Sequence, residues 1–277
     1  MDKIYGRPES IRNRVSTYCP GCLHGVANKI VAEVLDELEL REKTICVLPV
    51  GCGTLGLFYW NVDMISSAHG RAPAVATGIK RCTPDKFVFC YQGDGDLAAI
   101  GLSEIMHAAN RGENISIIFV NNSIYGMTGG QMAPTTLEDQ YSTTTQKGRN
   151  PITEGYPMKM CEIISGLEAP RYVARFSMDS PKNIIKAKAG IKKAFELQIE
   201  KKGFSFVELM SNCPTNWGVT PLESLEWMRE NTLKVFPPGV YKEVELHEKQ
   251  SYNRRFRRSG NNADGKTPGL CGMRRKA

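Results

Sequence analysis

Asp94 and Asn122 are the side chains of this sequence best spaced to share a metal ion. Asp94 lies in Gly93-Asp94-Gly95-Asp96, directly after a strand-like run, Lys86-Phe-Val-Phe-Cys-Tyr-Gln92. Asn122 follows Asn121 at the end of a second apolar run, Ile115-Ser-Ile-Ile-Phe-Val120. The 25 residues between Gly95 and Asn121 are the length of one helix and one strand, so both motifs fall at the carboxyl ends of parallel strands. A carboxylate and a carboxamide so placed can hold one Mg²⁺, whose remaining ligands are diphosphate oxygens, a backbone carbonyl and water. Glycines beside Asp94 admit close backbone approach, and the helix after it offers free N–H groups to an anion. Either half alone reads as an ordinary turn or N-cap. Both halves in phase with a β-α-β pattern make the stronger signal.

Cysteines form a second constellation. Cys19-Pro-Gly-Cys22 is a turn before a helix, Cys52 sits just past a strand in Val50-Gly-Cys-Gly-Thr54, and Cys213 just past another in Ser211-Asn-Cys-Pro-Thr-Asn-Trp217. No second CxxC lies close by, as a zinc ribbon needs. Four thiolates so distributed suit a [4Fe–4S] cluster. A thioredoxin-like pair at Cys19 and Cys22, or plain buried thiols, are the alternatives. Cys46, Cys82, Cys90 and Cys161 fall in strand- or helix-like runs and read as core.

The elements that must carry these residues alternate along the chain. Helical patterning covers about 23–40, 72–82, 97–111, 160–167 and 181–202, the last with Pro181 in its first turn. Strand patterning covers 45–50, 86–92, 115–120, 171–176 and 204–210. The alternation implies an α/β fold, a mostly parallel sheet with helices on both faces. A long polar stretch, 128–157, interrupts it, and there is no internal repeat.

At 277 residues the chain holds one large α/β domain or two small ones. Nine cysteines in a chain with no signal-peptide-like start and no membrane-length apolar run predict a reduced, cytoplasmic setting. The net charge of +7 is unevenly placed: residues 249–277 carry nine basic residues against Asp264, leaving 27 basic and 28 acidic in 1–248. The body is near neutral, which argues against nucleic-acid binding. Residues 1–248 read as the functional domain and 249–277 as a basic tail with too little apolar content to fold alone. Within the tail, Arg254, Arg255, Arg257 and Arg258 with Tyr252 and Phe256 make up a segment suited to docking on an acidic partner groove.

Gly51-Cys-Gly-Thr-Leu-Gly56 also fits the dinucleotide pattern G-x-G-x-x-G, but 69–77 lacks the acidic residue expected about 20 positions on. A nicotinamide enzyme is therefore a lesser alternative, and a non-catalytic binding subunit another.

Taken together, the motifs resemble a known family. The Cys19–Cys22 turn, Gly51-Cys-Gly53, Ala68-His-Gly-Arg-Ala-Pro-Ala-Val-Ala-Thr-Gly-Ile79, the Gly93–Asp96 block, Asn121-Asn-Ser-Ile-Tyr-Gly-Met-Thr-Gly-Gly-Gln-Met132 and Asn212-Cys-Pro-Thr-Asn-Trp-Gly218 occur in order. This series, over about 10–241, resembles the β subunit of 2-oxoacid:ferredoxin oxidoreductases. The resemblance implies a thiamine diphosphate-binding fold. It implies that Cys19, Cys22, Cys52 and Cys213 carry a [4Fe–4S] cluster, and that Asp94, Asn122 and the Ile124 carbonyl hold Mg²⁺. Cys52, His69, Gly93, Gly95, Asp96, Tyr125 and Gly126 are then further cofactor-contacting positions, with His69 a candidate catalytic group whose bland reading is a loop histidine. The implied reaction is oxidative decarboxylation of a 2-oxoacid to an acyl-CoA, with electrons passing through the cluster to ferredoxin.

The same resemblance implies a heteromer. Thiamine enzymes need a glutamate facing the aminopyrimidine, in this family on a separate domain, and no second nucleotide-like unit is visible in the sequence. An α subunit is the expected partner, with a γ or ferredoxin-like subunit as a further candidate. Gly130–Thr136 and Ser142–Thr145 look most like enzymes for branched-chain 2-oxoacids such as 3-methyl-2-oxobutanoate, with 2-oxoglutarate the alternative. Arg71 is a candidate for a substrate carboxylate, against the plainer reading of a solvated or partner-facing arginine.

Overall fold

The computed structural model describes residues 6–244, and the basic tail lies outside them. Seven strands form one sheet: β1 (Thr44–Leu48), β2 (Asp63–Ser66), β3 (Phe87–Gly93), β4 (Ser116–Asn121), β5 (Tyr172–Ser177), β6 (Ser205–Met210) and β7 (Gly239–Glu243). Their order is β2-β1-β3-β4-β6-β5-β7, and every pairing is parallel except β5 with β7. The inner strands are buried on both faces, which is why they read as continuous apolar runs rather than alternating ones.

One face of the sheet packs Phe87, Phe89, Tyr91, Val207 and Leu209 against helices His24–Glu37 and Pro181–Ile199. The other packs Val88, Cys90, Ile117, Phe119 and Phe206 against helices Ala72–Cys82, Leu102–Asn110 and Met160–Ser165. Three expected core cysteines, Cys46, Cys90 and Cys161, are buried, but Cys82 is exposed. It is the last residue of its helix, past the stripe that meets the sheet.

The two outermost strands escaped the sequence reading. β2 and β7 lie at the sheet edges and are largely exposed, so no buried pattern marks them. The expected helix at 97–111 is also two pieces, a π-helical turn at Gly95–Ile100 and an α-helix at Leu102–Asn110. The break has a steric origin. A Cβ on Gly101 would lie 2.5 Å from Gly70 O, so two backbones touch here and only glycines fit.

From β1 the chain turns to one side, toward β2, and from β3 to the other, toward β4. The strand order reverses between β1 and β3, and in open parallel sheets ligands bind in the crevice beyond the strand ends at such a point. Val50–Gly53 and Gly93–Asp96 flank this crevice. No helix among the described residues is long and apolar enough to cross a membrane.

Candidate active site

The β3–β4 register, Gly93 opposite Val120, brings Asp94 and Asn122 to adjacent strand ends as their spacing predicts. One backbone group shows that they converge. The Ile124 N–H donates to Asp94 Oδ2 at 3.2 Å and to Asn122 Oδ1 at 3.3 Å. Asp94 Oδ2 also accepts from the Thr135 hydroxyl at 2.6 Å, and Oδ1 from Gly95 N at 2.8 Å. Burial pushes the Asp94 carboxyl up to about 6, with the bonds from Thr135, Gly95 and Ile124 opposing the rise. Such a buried carboxylate lacks a counter-charge, and a divalent cation supplies one.

Asp96 gathers hydrogen bonds from three segments. Its Oδ1 accepts from Gly70 N at 2.9 Å and Val50 N at 3.2 Å, and its Oδ2 from Gln92 Nε2 at 2.6 Å. The same Oδ1 lies 2.6 Å from His69 Nδ1. Asp96 therefore ties the loops after β1 and before helix Ala72–Cys82 to the end of β3, and His69, its side chain one-third exposed, sits beside it. Arg71, the candidate for a substrate carboxylate, is instead paired with Glu104.

The segment 122–157 folds back over the strand ends. Tyr125 donates its hydroxyl to Gly95 O at 3.1 Å. Arg149, buried, donates to the carbonyls of Pro134, Thr136, Glu154, Gly155 and Tyr156, and so fixes Thr135 against Asp94. Beneath the turn, Asn121 Nδ2 donates to Glu208 Oε1 at 2.8 Å, and Glu208 pairs with the fully buried Arg175 at 2.8 Å. The Asn121-Asn122 turn thus rests on a buried ion pair.

The four candidate cluster cysteines come together from three loops. Asn212 binds Leu23 N through Oδ1 at 3.2 Å and Gly21 O through Nδ2 at 3.1 Å, which sets the Cys19–Cys22 turn beside Cys213. The thiols are electrostatic neighbours: Cys22 feels Cys213 and Cys19, and Cys52 feels Cys22, Cys213 and Cys19. Burial, then this mutual repulsion, pushes Cys22 up to about 11 and Cys52 to about 12. None of the described cysteines is in a disulfide. Among the described residues no three His, Cys, Asp or Glu side chains close tightly enough around a single ion. A cubane, with iron at four corners, holds its thiolates wider apart than one ion does. Three thiols that burial holds in the neutral form, Cys22, Cys52 and Cys213, gathered with Cys19, fit such a group, which deprotonates its ligands on binding.

Gly126 joins the two constellations. A Cβ there would lie 3.2 Å from Cys52 Sγ, 3.6 Å from Asn122 Nδ2 and 3.7 Å from Cys213 Sγ. A cavity of about 110 Å³ opens at this point, lined by Cys52, His69, Gly93, Asp94, Asn122 and Tyr125 among others. A larger surface hollow of about 760 Å³ lies elsewhere, beside helix His24–Glu37. Two of the acids lining it are already engaged, Asp36 by the N–H groups of Glu9 and Ser10 and Glu37 by Lys188 and Lys192. We therefore place the site at the strand ends.

Residues 51–209 match the family model of the thiamine pyrophosphate enzyme C-terminal TPP binding domain. Fold and site thus define a thiamine diphosphate-binding domain. A ketoisovalerate oxidoreductase subunit, VorA, of Methanothermobacter thermautotrophicus is 47% identical over 245 residues, covering 85% of this chain and 51% of that protein. A 2-oxoglutarate synthase subunit, KorB, of Methanocaldococcus jannaschii is 36% identical over 238 residues, covering 84% of each. The solved 2-oxoglutarate:ferredoxin oxidoreductase from Magnetococcus marinus, with 2-oxoglutarate, coenzyme A and succinyl-CoA bound, is similar with a TM-score of 0.74. It is 25% identical, with 88% of this chain and 87% of that one covered. The chain belongs to the 2-oxoacid:ferredoxin oxidoreductase family. It spans about half the length of the ketoisovalerate oxidoreductase relatives that it matches.

Thr135, Arg149, Glu208 and Asn216 were not singled out from the sequence. Thr135 and Asn216 do lie inside quoted motifs, and an asparagine three residues after a candidate ligand was the available signal.

Proposed function

We propose that the chain is the thiamine diphosphate- and cluster-bearing β subunit of an oxidoreductase that converts a branched-chain 2-oxoacid and coenzyme A to an acyl-CoA, passing electrons to ferredoxin. The observation that carries this reading is the convergence at Gly126, where Asn122 and two of the four cysteines, Cys52 and Cys213, meet within one residue's reach. When bound, thiamine diphosphate supplies the carbanion chemistry and electron sink for decarboxylation, and a [4Fe–4S] cluster removes the electrons singly.

The chain's own groups have separable tasks. Asp94, Asn122 and the Ile124 carbonyl hold Mg²⁺ on the diphosphate, with Thr135 keeping Asp94 ionised. Asp96 lies beside His69, with Oδ1 2.6 Å from Nδ1, at the edge of the cavity that would take the cofactor. Cys19, Cys22, Cys52 and Cys213 bind the cluster. The aminopyrimidine-facing glutamate comes from an α subunit, since the described residues form a single sheet. A γ or ferredoxin-like subunit would carry electrons onward.

The preference for a branched-chain substrate rests on the 47% identity to a ketoisovalerate oxidoreductase subunit against 36% to a 2-oxoglutarate synthase subunit. The test is anaerobic purification with the partner subunit, iron analysis, and a panel of 2-oxoacids assayed with coenzyme A and a viologen dye. Cys52→Ala and Cys213→Ala should lose the cluster, and Cys46→Ala should keep it. Full iron in both ligand variants refutes the cluster assignment. Faster turnover of 2-oxoglutarate than of 3-methyl-2-oxobutanoate moves the substrate to the 2-oxoglutarate type.

A further inference from the structure

Asn216 belongs to none of the roles above, yet its amide spans the two constellations. Nδ2 lies 2.8 Å from Gly126 O and 3.2 Å from Cys213 Sγ. A carbonyl oxygen only accepts, so the atom facing it must be the NH₂, and the amide orientation follows from chemistry. The two amide protons are then divided, one to the cofactor loop and one to the sulfur. Gly130 lies alongside, where an added Cβ would come within 3.2 Å of both Asn216 Cβ and Oδ1, so the absence of a side chain there leaves space for this amide. Among the described residues, Cys213 is the candidate ligand with a side-chain donor on its sulfur. Cys22 is met by the backbone N–H of His24 alone.

We propose that Asn216 is a positioning residue that raises the reduction potential of the cluster by donating a hydrogen bond to the Cys213 sulfur. This rests on the reading of Cys213 as a cluster ligand. The physical reason is a difference between two charge states. One-electron reduction adds a negative charge that is shared between iron and ligand sulfur. An N–H donor aimed at that sulfur stabilises the reduced form more than the oxidised one. The shared amide also places this control beside the diphosphate loop, where the electrons originate.

The experiment is a dithionite titration of the anaerobic holo-complex, following the reduced cluster by electron paramagnetic resonance, in wild type and in Asn216→Leu and Asn216→Asp. Wild-type iron content is measured first, and a protein without iron refutes the cluster reading itself rather than this inference. With iron retained, Asn216→Leu should shift the reduction equilibrium about tenfold toward the oxidised form, a midpoint 59 mV more negative for one electron. Asn216→Asp, which also places an oxygen against the sulfur, should shift it further. An unchanged midpoint in an iron-replete Leu variant overturns the proposal. If Leu expels the cluster, the Asp variant, nearly identical in shape, carries the same reading. Loss of iron in both with retention in Asn216→Gln would assign the amide to cluster retention and also overturn it.

Discussion

Replacing Thr135 with valine should move the pH at which the enzyme loses its cofactor. Valine keeps the shape of this fully buried side chain and removes only the hydroxyl that donates to Asp94 Oδ2 at 2.6 Å. In the folded state burial raises the Asp94 carboxyl from 3.8 to about 6. The native metal-free protein therefore keeps this proton to a higher pH than the unfolded chain does, and its stability falls as pH rises through that window. Mg²⁺ needs the ionised form, so its binding weakens as pH falls through about 6. At pH 7 a carboxyl with this value is about nine-tenths ionised, and at pH 5 about one-tenth. A hydrogen bond to a charged group is worth about 1.5–3 kcal/mol, or roughly one to two pH units. In the variant the inflection should thus lie near pH 7–8, and affinity at pH 7 should drop about two- to tenfold. Calorimetric titration of thiamine diphosphate at fixed Mg²⁺ between pH 5 and 9 measures both profiles. The cofactor's own protonation is common to both proteins and cancels in the comparison. Coincident inflections would show that Thr135 does not govern Asp94, and a flat wild-type profile would remove Asp94 from the metal site.

Three other perturbations test neighbouring parts. Asp94→Ala should abolish thiamine diphosphate binding by removing the charged ligand, whereas Asn122→Ala should weaken it less, as equilibrium dialysis would show. Gly126→Ala sets a methyl 3.2 Å from Cys52 Sγ. A sulfur held by iron could not retreat, and overpacking of about 1–3 kcal/mol predicts a cofactor affinity weaker by roughly five- to 150-fold in the same dialysis. Arg175→Met leaves Glu208 buried without its partner, at a cost of about 3–5 kcal/mol seen as a lower Tm. Because Glu208 also anchors Asn121, cofactor affinity should fall with it.

Much of this arrangement was legible before any coordinates. β1, β3, β4, β5 and β6 were found because burial on both faces leaves runs such as Phe87–Tyr91 with nothing but apolar side chains to read. The Asp94–Asn122 pairing followed from chain length alone, since a helix and a strand take up a fixed number of residues. Edge strands β2 and β7 lack that signature, and the π-turn at Gly95–Ile100 is invisible to a pattern that sees only apolar spacing in 97–111. Asp96 shows the other limit. Its neighbours in the chain mark it as a cofactor position, while, Gln92 apart, the groups that donate to it, Val50 and Gly70, lie at least 26 positions away. Thr135 and Asn216 were missed for the same reason, as their roles are contacts between distant segments.

That distance has a consequence for how the molecule is made. Asn212 clamps the turn at Gly21 and Leu23 across nearly 190 residues of chain, and Cys213 stands beside cysteines 19 and 22 only when that clamp has closed. Contacts of such sequence separation form late, because a long loop must be closed before they repay its entropy. During synthesis the N-terminal pair is out first and waits, its thiols unshielded, until β6 has slotted between β4 and β5. A metal centre on these cysteines would therefore be assembled on nearly finished protein. Once in place, such a group would act as a cross-link from Cys19 to Cys213, closing most of the described residues into one loop.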